Sequence, residues 1–529
     1  MPSLEDDLAP VPAQAQAEYT ILKQRVDLDI DFANQALKGS TEITLQPLAR
    51  NLREVNLHCR QCKPTLIQAG GLTARWEYED PYRRARMPEK STAEQHSMLK
   101  RKIKSSLGPN PQAELCISLP SKLKIQELRV DPATVLPQYN GTPSLQTQEA
   151  DAMAAVEAPS AHSSQHGPQF APIKIYIEFE VTSFRDGIHW VGVEDGDARF
   201  PYMYTKAELD PGNSSCIFPC MDDLTTRCMW EIAIRCPRTL GDAFRKPKDQ
   251  IAREADATEA PDVVGANKTS GPEDLNKIAQ QQKQKKDEYL VNLSKADAAL
   301  ELSIICVGEL VDDTVDSEDE TRHTMLFNLS SAVAARHVGF AVGPFEHVDL
   351  AAFREADEEE KLGRSAVKID AYCLPGRADE LRNTAYPVHL IIDYFGVMYG
   401  GFPFSDYQML FVDDLPLNTV PTAGLTICNA DLLFPFEVLD FLTPNTKILI
   451  RAVADQWMGV NAIAKTPADA WIVAGIAGYM TDQYSKKLFG NNEYRWTQKQ
   501  AADKVYELDV ERPSLQQLGD LLHLDPTIR

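Results

Sequence analysis

The chain has 529 residues, of which 43% are hydrophobic and 25% are charged, as is typical of a globular protein with two or more domains. Its 77 acidic residues outnumber the 54 basic ones and give a net charge of −23, so the average surface repels nucleic acid and anionic membranes. The sequence has no apolar run of about 18 residues, so it predicts no transmembrane helix. Residues 1–16 lack the features of a secretory signal peptide, and we expect them to be disordered.

The ten cysteines are scattered along the chain, and Cys59 and Cys62 form its single C-x-x-C pair. A structural zinc site usually needs a second pair, and the residues that neighbour this pair in the sequence do not supply one. We therefore expect reduced, structural thiols, as in an intracellular protein.

Alternation of apolar and polar residues predicts β-strands through the first three hundred residues. Residues 25–32 and 40–47 form two such runs, joined by a hairpin-like connection. Further strands are expected at residues 174–184, 228–236, 288–294 and 300–311. This part of the chain is therefore predicted to be all-β.

Three polar segments interrupt this pattern, near residues 81–111, 139–172 and 245–287. None has an apolar face to bury, so we expect disordered insertions or surface extensions. The first segment carries a cluster of basic residues, which are Arg83, Arg84, Arg86, Lys100, Arg101, Lys102 and Lys104. Such a cluster can neutralise DNA phosphates locally, although a flexible loop or a nuclear-localisation patch explains it equally well.

After residue 345 the pattern becomes mixed α/β. Strands are expected at residues 366–376 and 407–415, and residues 377–400 have helical spacing. Pro387 either kinks that helix or lies in the first turn of a second one. Two further helices are expected between Asn445 and about Lys487, with Pro467 marking the start of the second.

The segment "RAVADQWMGVNAIAKTPADAWIVAGIAGYM", residues 451–480, resembles the zinc-binding motif of the aminopeptidase N family, "HExxHQWFG…NEGFA". The matching residues are Gln456, Trp457, Gly459, Pro467, Asp469, Trp471, Gly475, Ala477 and Tyr479. Taken alone, these residues could be ordinary core packing of two amphipathic helices. However, residues 214–223, 338–346, 372–381 and 394–410 resemble other segments of the family, in the family's order.

The resemblance implies a site whose chemistry has been replaced. It puts Arg451 in the place of the first zinc ligand, Ala452 in the place of the catalytic base, Asp455 in the place of the second ligand and Ala474 in the place of the third. The eighteen residues between the second and third ligands are retained. Arginine has no lone pair for zinc, and alanine is neither a base nor a ligand. We therefore expect no metal, no other cofactor and no catalysis, and we reject a metallopeptidase with unusual ligands.

The family's substrate-binding strand, "GAMEN", is also altered. Its counterpart here is Ala423, Gly424, Leu425, Thr426 and Ile427. Thr426 takes the place of the glutamate that binds the substrate's amine, so the anionic partner for an ammonium group is missing. The family's catalytic tyrosine would fall near or beyond Arg529.

Residues 187–191 ("GIHWV"), 429–434 and 476–496 resemble a non-catalytic branch of the family, whose members are TBP-associated subunits of the general transcription factor TFIID. This resemblance implies a nuclear location, assembly with other TFIID subunits and help in recognising promoter DNA near the initiator, with no membrane contact and no small-molecule substrate. The alternative is a peptide-binding pseudo-aminopeptidase in another intracellular complex.

The resemblance also implies a multidomain fold. An all-β, saddle-like N-terminal domain over residues 17–345 would be followed by an α+β, thermolysin-like domain over residues 346–529. The second domain is expected to be incomplete, because the family continues into a helical-repeat region.

Overall fold

The computed structural model describes residues 18–80, 113–128, 169–246, 289–354 and 366–509, apart from residues 183, 185, 195, 206–212, 224, 292, 467 and 468. Residues 1–16, the insertion at 81–111 and its seven basic residues lie outside the described residues. So do most of the other two insertions and the predicted helix start at Pro467.

In the described part of the chain, the largest sheet has eight strands. These are β1 (Tyr19–Asp31), β2 (Ala36–Pro47), β4 (Lys63–Ala69), β5 (Leu72–Thr73), β10 (Ile173–Val181), β13 (Cys228–Pro237), β15 (Glu309–Val315) and β16 (Arg322–Val333). Their order is β15-β16-β13-β1-β2-β10-β4-β5. β1 runs parallel to β13, and the other neighbouring pairs are antiparallel. Alternating burial along β2 and β10 puts apolar side chains on one face of the sheet and polar ones on the other.

Smaller sheets complete the β-rich region. A four-stranded sheet has the order β11-β12-β17-β14, a three-stranded one the order β3-β7-β6, and β8 pairs with β9. Their strands are β3 (Glu54–Leu57), β6 (Arg75–Tyr78), β7 (Leu115–Ser118), β8 (Glu127–Leu128), β9 (Gln169–Phe170), β11 (Ile188–Val191), β12 (Tyr202–Thr205), β14 (Ser303–Cys306) and β17 (Phe340–Gly343).

The C-terminal part combines a five-stranded sheet with helices. Its strands are β18 (Glu346–Asp349), β19 (Lys368–Cys373), β20 (Asp406–Val412), β21 (Thr419–Thr422) and β22 (Leu425–Asn429), in the order β18-β19-β20-β22-β21. The α-helices of the described chain are α1 (Leu240–Phe244), α2 (Lys295–Ala298), α3 (Ala378–Ala385), α4 (Val388–Tyr399), α5 (Leu442–Trp457), α6 (Ala470–Phe489) and α7 (Asn491–Asp509). Short 3-10 helices are found at Ser214–Cys216, Ala335–His337, Ala351–Phe353 and Ala430–Leu432.

Two hydrophobic clusters fill the interior. The first lies mainly on the large sheet, and the second lies beneath α3, α4 and α5. In β20, Leu410 belongs to the first cluster and the neighbouring Met409 belongs to the second. β20 is therefore buried on both faces, which explains its continuous apolar run. Among the described helices, none is long and apolar enough to cross a membrane.

Most of the predicted strands are confirmed, with two corrections. Residues 300–311 form two strands rather than one, because the chain turns at Gly308, where φ is +90°. The strand predicted at 288–294 is wrong. Its described residues make one isolated bridge, between Tyr289 and Arg245, and Ser294 instead forms a capping box with Asp297 that starts α2.

Phe170 and Pro387 fix two segment boundaries, those of an insertion and of a pair of helices. The insertion predicted at 139–172 extends too far, because Phe170 is only 2% exposed and pairs in β9 with β8. Pro387 lies between α3 and α4, at the N-cap of α4. Of the two alternatives for Pro387, a second helix is observed and the kinked single helix is not, although the proline caps this helix rather than lying in its first turn.

Candidate functional site

Helix α5 carries Arg451, Ala452 and Asp455. Its apolar residues face the second hydrophobic cluster, and the spacing of four residues places Arg451 and Asp455 on one side of the helix. Arg451 Nε donates to Asp455 Oδ1 at 2.8 Å, and these side chains are 26% and 15% exposed. Ala452 is fully buried. An ion pair within the helix therefore occupies these positions.

Helix α6 carries Ala474 and packs against α5. A Cβ atom added at Gly478 would lie 3.5 Å from Arg451 Nη1, so the guanidinium contacts α6 at this glycine. Gly478 is one helical turn beyond Ala474. The Arg451–Asp455 ion pair thus lies at the contact between α5 and α6, beside the turn that follows Ala474.

Polar contacts tie α5 and α6 to α7. Lys447 of α5 donates to Glu493 at 2.7 Å and to Thr497 at 3.2 Å, and the hydrogen bond from Lys447, together with its charge, lowers the pKa of Glu493. Burial raises the pKa of Asp482 on α6, although a hydrogen bond from Gln498 and the charges of Lys447 and Arg451 oppose this shift. Within the described residues, no group of three or more His, Cys, Asp or Glu side chains is arranged to hold a metal ion.

Residues 423–427, which the family resemblance assigns to the substrate strand, form a tight turn followed by β22. Ala423 and Gly424 make the turn, and Gly424 has φ of +71°. Thr426 in β22 is completely buried, and its hydroxyl is 2.9 Å from the Tyr407 hydroxyl. Burial raises the pKa of Tyr407, so its phenol stays neutral.

Gln456 on α5 fastens this strand to the helix. Its Nε2 donates to Thr426 Oγ1 at 3.2 Å, and its Oε1 accepts from the Gly424 backbone N–H at 3.0 Å. The Thr426 hydroxyl is therefore occupied inside the protein, by Gln456 and Tyr407. The sequence placed Gln456 in the family motif without predicting these contacts. The signal in the sequence that could have predicted these contacts is a polar glutamine on an apolar helix face, since a buried amide requires hydrogen-bond partners.

The "GIHWV" segment has a structural role. Gly187 has φ of +86°, and an added Cβ would lie 2.8 Å from Ile217. The Trp190 ring packs edge-on against Phe32, with ring centroids 5.3 Å apart, and His189 packs against Tyr204 in the same manner. This segment therefore joins the four-stranded sheet to the end of β1.

The structure brings a second cysteine pair next to Cys59 and Cys62, which sequence reasoning missed. Cys216 and Cys220 lie close enough to influence the pKa of Cys62, which burial raises well above its ordinary value. Cys62 Sγ also donates to the Ser215 carbonyl at 3.5 Å. No disulfide joins these four thiols, and the described residues contain no group of side chains here that could hold a metal ion.

No family model matches the chain. Its sequence is similar to transcription initiation factor TFIID subunit 2 of Schizosaccharomyces pombe, with 29% identity over 507 residues, 95% of this chain and 38% of that protein. The corresponding subunit of Saccharomyces cerevisiae is 26% identical over 94% of this chain and 40% of its own length. That of Danio rerio is 22% identical over 93% of this chain and 32% of its own length. The chain thus spans about two fifths or less of the length of these relatives.

The structure is similar to yeast LTA4 hydrolase, which has an aminopeptidase-like fold. The complex with bestatin matches with a TM-score of 0.52 and 12% sequence identity, over 91% of this chain and 50% of that one. The native enzyme matches with a TM-score of 0.52 and 13% identity over the same shares of the two chains. At this identity the likeness shows a shared fold alone.

Proposed function

We propose that this protein is a non-catalytic scaffold subunit of the general transcription factor TFIID. It acts in the nucleus, where it takes part in assembly of the complex and in core-promoter recognition for initiation by RNA polymerase II. The observation that carries this proposal is similarity to TFIID subunit 2 along 93–95% of the chain, in two yeasts and a fish. Its proposed partners are the other TFIID subunits.

The residues at the candidate site support a non-catalytic role. A guanidinium has no lone pair to offer a metal, so Arg451 cannot ligate zinc. It is paired with Asp455, and the neighbouring Ala452 provides no base. Thr426 is buried and already hydrogen-bonded, so it offers nothing to a substrate amine. The proposal therefore includes no metal, no other cofactor and no small-molecule substrate.

The proposed domain division follows the change in architecture. Residues 17–345 would form a saddle-like β domain, in keeping with the eight-stranded sheet and its smaller companions. Residues 346–529 would form an incomplete thermolysin-like domain, in keeping with the mixed five-stranded sheet covered by α3, α4 and α5. A helical-repeat region would follow in the complete protein.

Promoter recognition would be local, because the net charge is −23. The proposed contact is the basic cluster between Arg83 and Lys104, acting in the assembled complex near the initiator. Such contacts go to phosphates and position the protein without reading sequence.

A peptide-binding pseudo-aminopeptidase in another complex is the weaker alternative. Such a protein would need polar groups on the substrate strand that can form hydrogen bonds with a peptide. The Thr426 hydroxyl and the Gly424 N–H are instead bonded to Gln456.

The proposal is tested by tagging the protein in its own cells, purifying the native complex from nuclear extract and identifying its subunits by mass spectrometry. TBP and several TBP-associated factors are expected in amounts comparable to the tagged chain. A complex that lacks TBP and contains another set of partners would overturn the proposal.

A further inference from the structure

Residues 435–442, here called the apolar loop, lead into α5 and include its first residue, and they project large hydrophobic side chains into solvent. Phe436 is 78% exposed, Leu439 69%, Phe441 52% and Leu442 45%. Single exposed apolar residues are common on protein surfaces, but four within seven positions are not. A concentration of this kind marks a surface that another molecule covers.

The apolar loop is held firmly at its base. The Phe434 backbone N–H donates to Thr384 Oγ1 at 3.1 Å, and its carbonyl accepts from Asn383 Nδ2 at 3.0 Å. On the other side, Asn445 Nδ2 donates to the Leu432 carbonyl at 2.8 Å. These side chains belong to α3 and α5, which are packed into the second hydrophobic cluster.

Hydrogen bonds within the loop also fix its shape. The Val438 N–H donates to the Pro435 carbonyl at 3.1 Å, and the Leu442 N–H donates to the Leu439 carbonyl at 3.1 Å. A preorganised loop loses little conformational entropy when a partner covers it. Its exposed phenylalanine and leucine side chains therefore suit an anchor that enters a pocket.

The charge of the loop defines the chemistry of the partner. Residues 431–442 contain Asp431, Glu437 and Asp440 and no basic residue. Glu437 and Asp440 are exposed between the apolar side chains. An anionic lipid surface would repel this arrangement. A protein groove with an apolar floor and a rim of lysine or arginine complements it.

We propose that the apolar loop is an anchor that inserts into an apolar groove, rimmed by basic residues, on another subunit of the complex. This inference rests on the proposed function, since that function supplies the complex. Phe436, Leu439 and Phe441 enter the groove, and Glu437 and Asp440 meet its rim. Truncation of such anchors typically costs an interface tenfold or more in affinity.

The first test replaces the three anchors in the tagged protein, as Phe436→Ser, Leu439→Ser and Phe441→Ser together. The matched control replaces three exposed apolar residues of β15, as Leu310→Thr, Val311→Thr and Val315→Thr; these are 54%, 61% and 50% exposed. At least one subunit is expected to co-purify about tenfold less with the anchor variant, and the control is expected to match wild type. Equal recovery with the anchor variant overturns the inference.

The second test addresses the rim. Glu437→Lys with Asp440→Lys is expected to reduce recovery of the same subunit, and the difference from wild type should shrink as salt is raised. A reduction that does not depend on salt contradicts the basic rim.

The third test leaves the loop's fold intact, so that misfolding of a variant cannot decide the outcome. A photo-crosslinking amino acid at Phe436 is expected to join another subunit at a site that contains apolar residues and lysine or arginine. Crosslinks confined to the same polypeptide or to a second copy overturn the inference while leaving the TFIID assignment intact. If the wild-type protein carries no TFIID subunits, the proposed function fails and the inference fails with it.

Discussion

Arg451 and Asp455 form an ion pair one helical turn apart on α5, with Nε 2.8 Å from Oδ1, beside Gly478 of α6. Because this pair is partly buried, its attraction is less screened than that of an exposed pair. We expect Arg451→Met and Asp455→Asn each to lower the free energy of unfolding by about 1–2 kcal/mol. A double-mutant cycle measured by urea denaturation should give a coupling energy of about 1 kcal/mol.

Lys499 and Asp503 provide a matched control for this cycle. They have the same spacing of four residues on α7, but their side chains are 65% and 63% exposed. We expect a coupling energy below about 0.5 kcal/mol for this pair. Equal coupling in the two cycles would show that the Arg451–Asp455 pair contributes no more than a surface contact.

Gln456 is expected to be among the polar residues that matter most for stability in this region. Gln456→Met keeps the side-chain volume but leaves the buried Gly424 N–H and Thr426 hydroxyl with one partner fewer. We expect a loss of about 2–3 kcal/mol in the free energy of unfolding, because unpaired buried polar groups are costly. Gln498→Met, which removes one exposed hydrogen bond to Asp482, should stay within about 0.5 kcal/mol. Similar losses for the two variants would contradict this role for Gln456.

Local patterns in the sequence predicted much of the fold. Alternation predicted β1, β2, β10 and β13, because one face of the large sheet is buried and the other is polar. The same rule failed at residues 288–294, where a capping box offers the backbone a different set of hydrogen bonds. An alternating pattern does not show whether the backbone will pair in a sheet or take part in a helix cap.

Contacts between distant residues could not be predicted. The motif spacing placed Gln456 on a helix and Thr426 on a strand, but their hydrogen bond joins residues 30 positions apart. Cys216 and Cys220 meet Cys59 and Cys62 across more than 150 residues, as the contact from Cys62 to Ser215 shows. Pairings of this kind depend on tertiary packing, which a single sequence does not reveal.

Metal analysis tests the replacement of the zinc ligands. We expect the purified chain to contain far less than one zinc per molecule, because Arg451, Asp455 and Ala474 replace the ligands that the family resemblance assigns. The combined variant Arg451→His, Ala452→Glu, Asp455→His and Ala474→Glu should bind about one zinc, yet hydrolyse no aminopeptidase substrate, since Thr426 still replaces the amine-binding glutamate. Omitting Ala474→Glu is the control, and it should weaken zinc binding. One zinc in the wild-type chain, lost on Asp455→Ala, would refute this prediction.

The basic cluster between Arg83 and Lys104 is tested by charge reversal in the assembled complex. Replacing Lys100, Arg101, Lys102 and Lys104 by glutamate should weaken promoter binding about equally for different sequences, because phosphate contacts do not read bases. The dependence of affinity on salt should also become shallower, since fewer counterions are released. Unchanged affinity and salt dependence would assign the cluster to nuclear import or to solvent exposure.

The ten cysteines give a prediction about thiol reactivity. None of the ten forms a disulfide, nine of them are buried, and Cys116 is partly exposed. Burial raises the pKa of the Cys228 and Cys236 thiols to about 12, so little reactive thiolate forms in the native protein. The pKa of Cys116 is also raised, by burial and by the charges of Glu54 and Glu77.

At pH 8, a thiol reagent such as DTNB should therefore modify at most one thiol per native chain, and only slowly. The rate should increase with pH, because the thiolate fraction of Cys116 increases as the pH approaches its raised pKa. Cys116→Ser should abolish this reaction, whereas Cys306→Ser, a buried control, should leave it unchanged. Denaturant should expose all ten thiols in the wild type. Rapid modification of several native thiols would show that the cluster around Cys62 opens to solvent and is not a sealed part of the core.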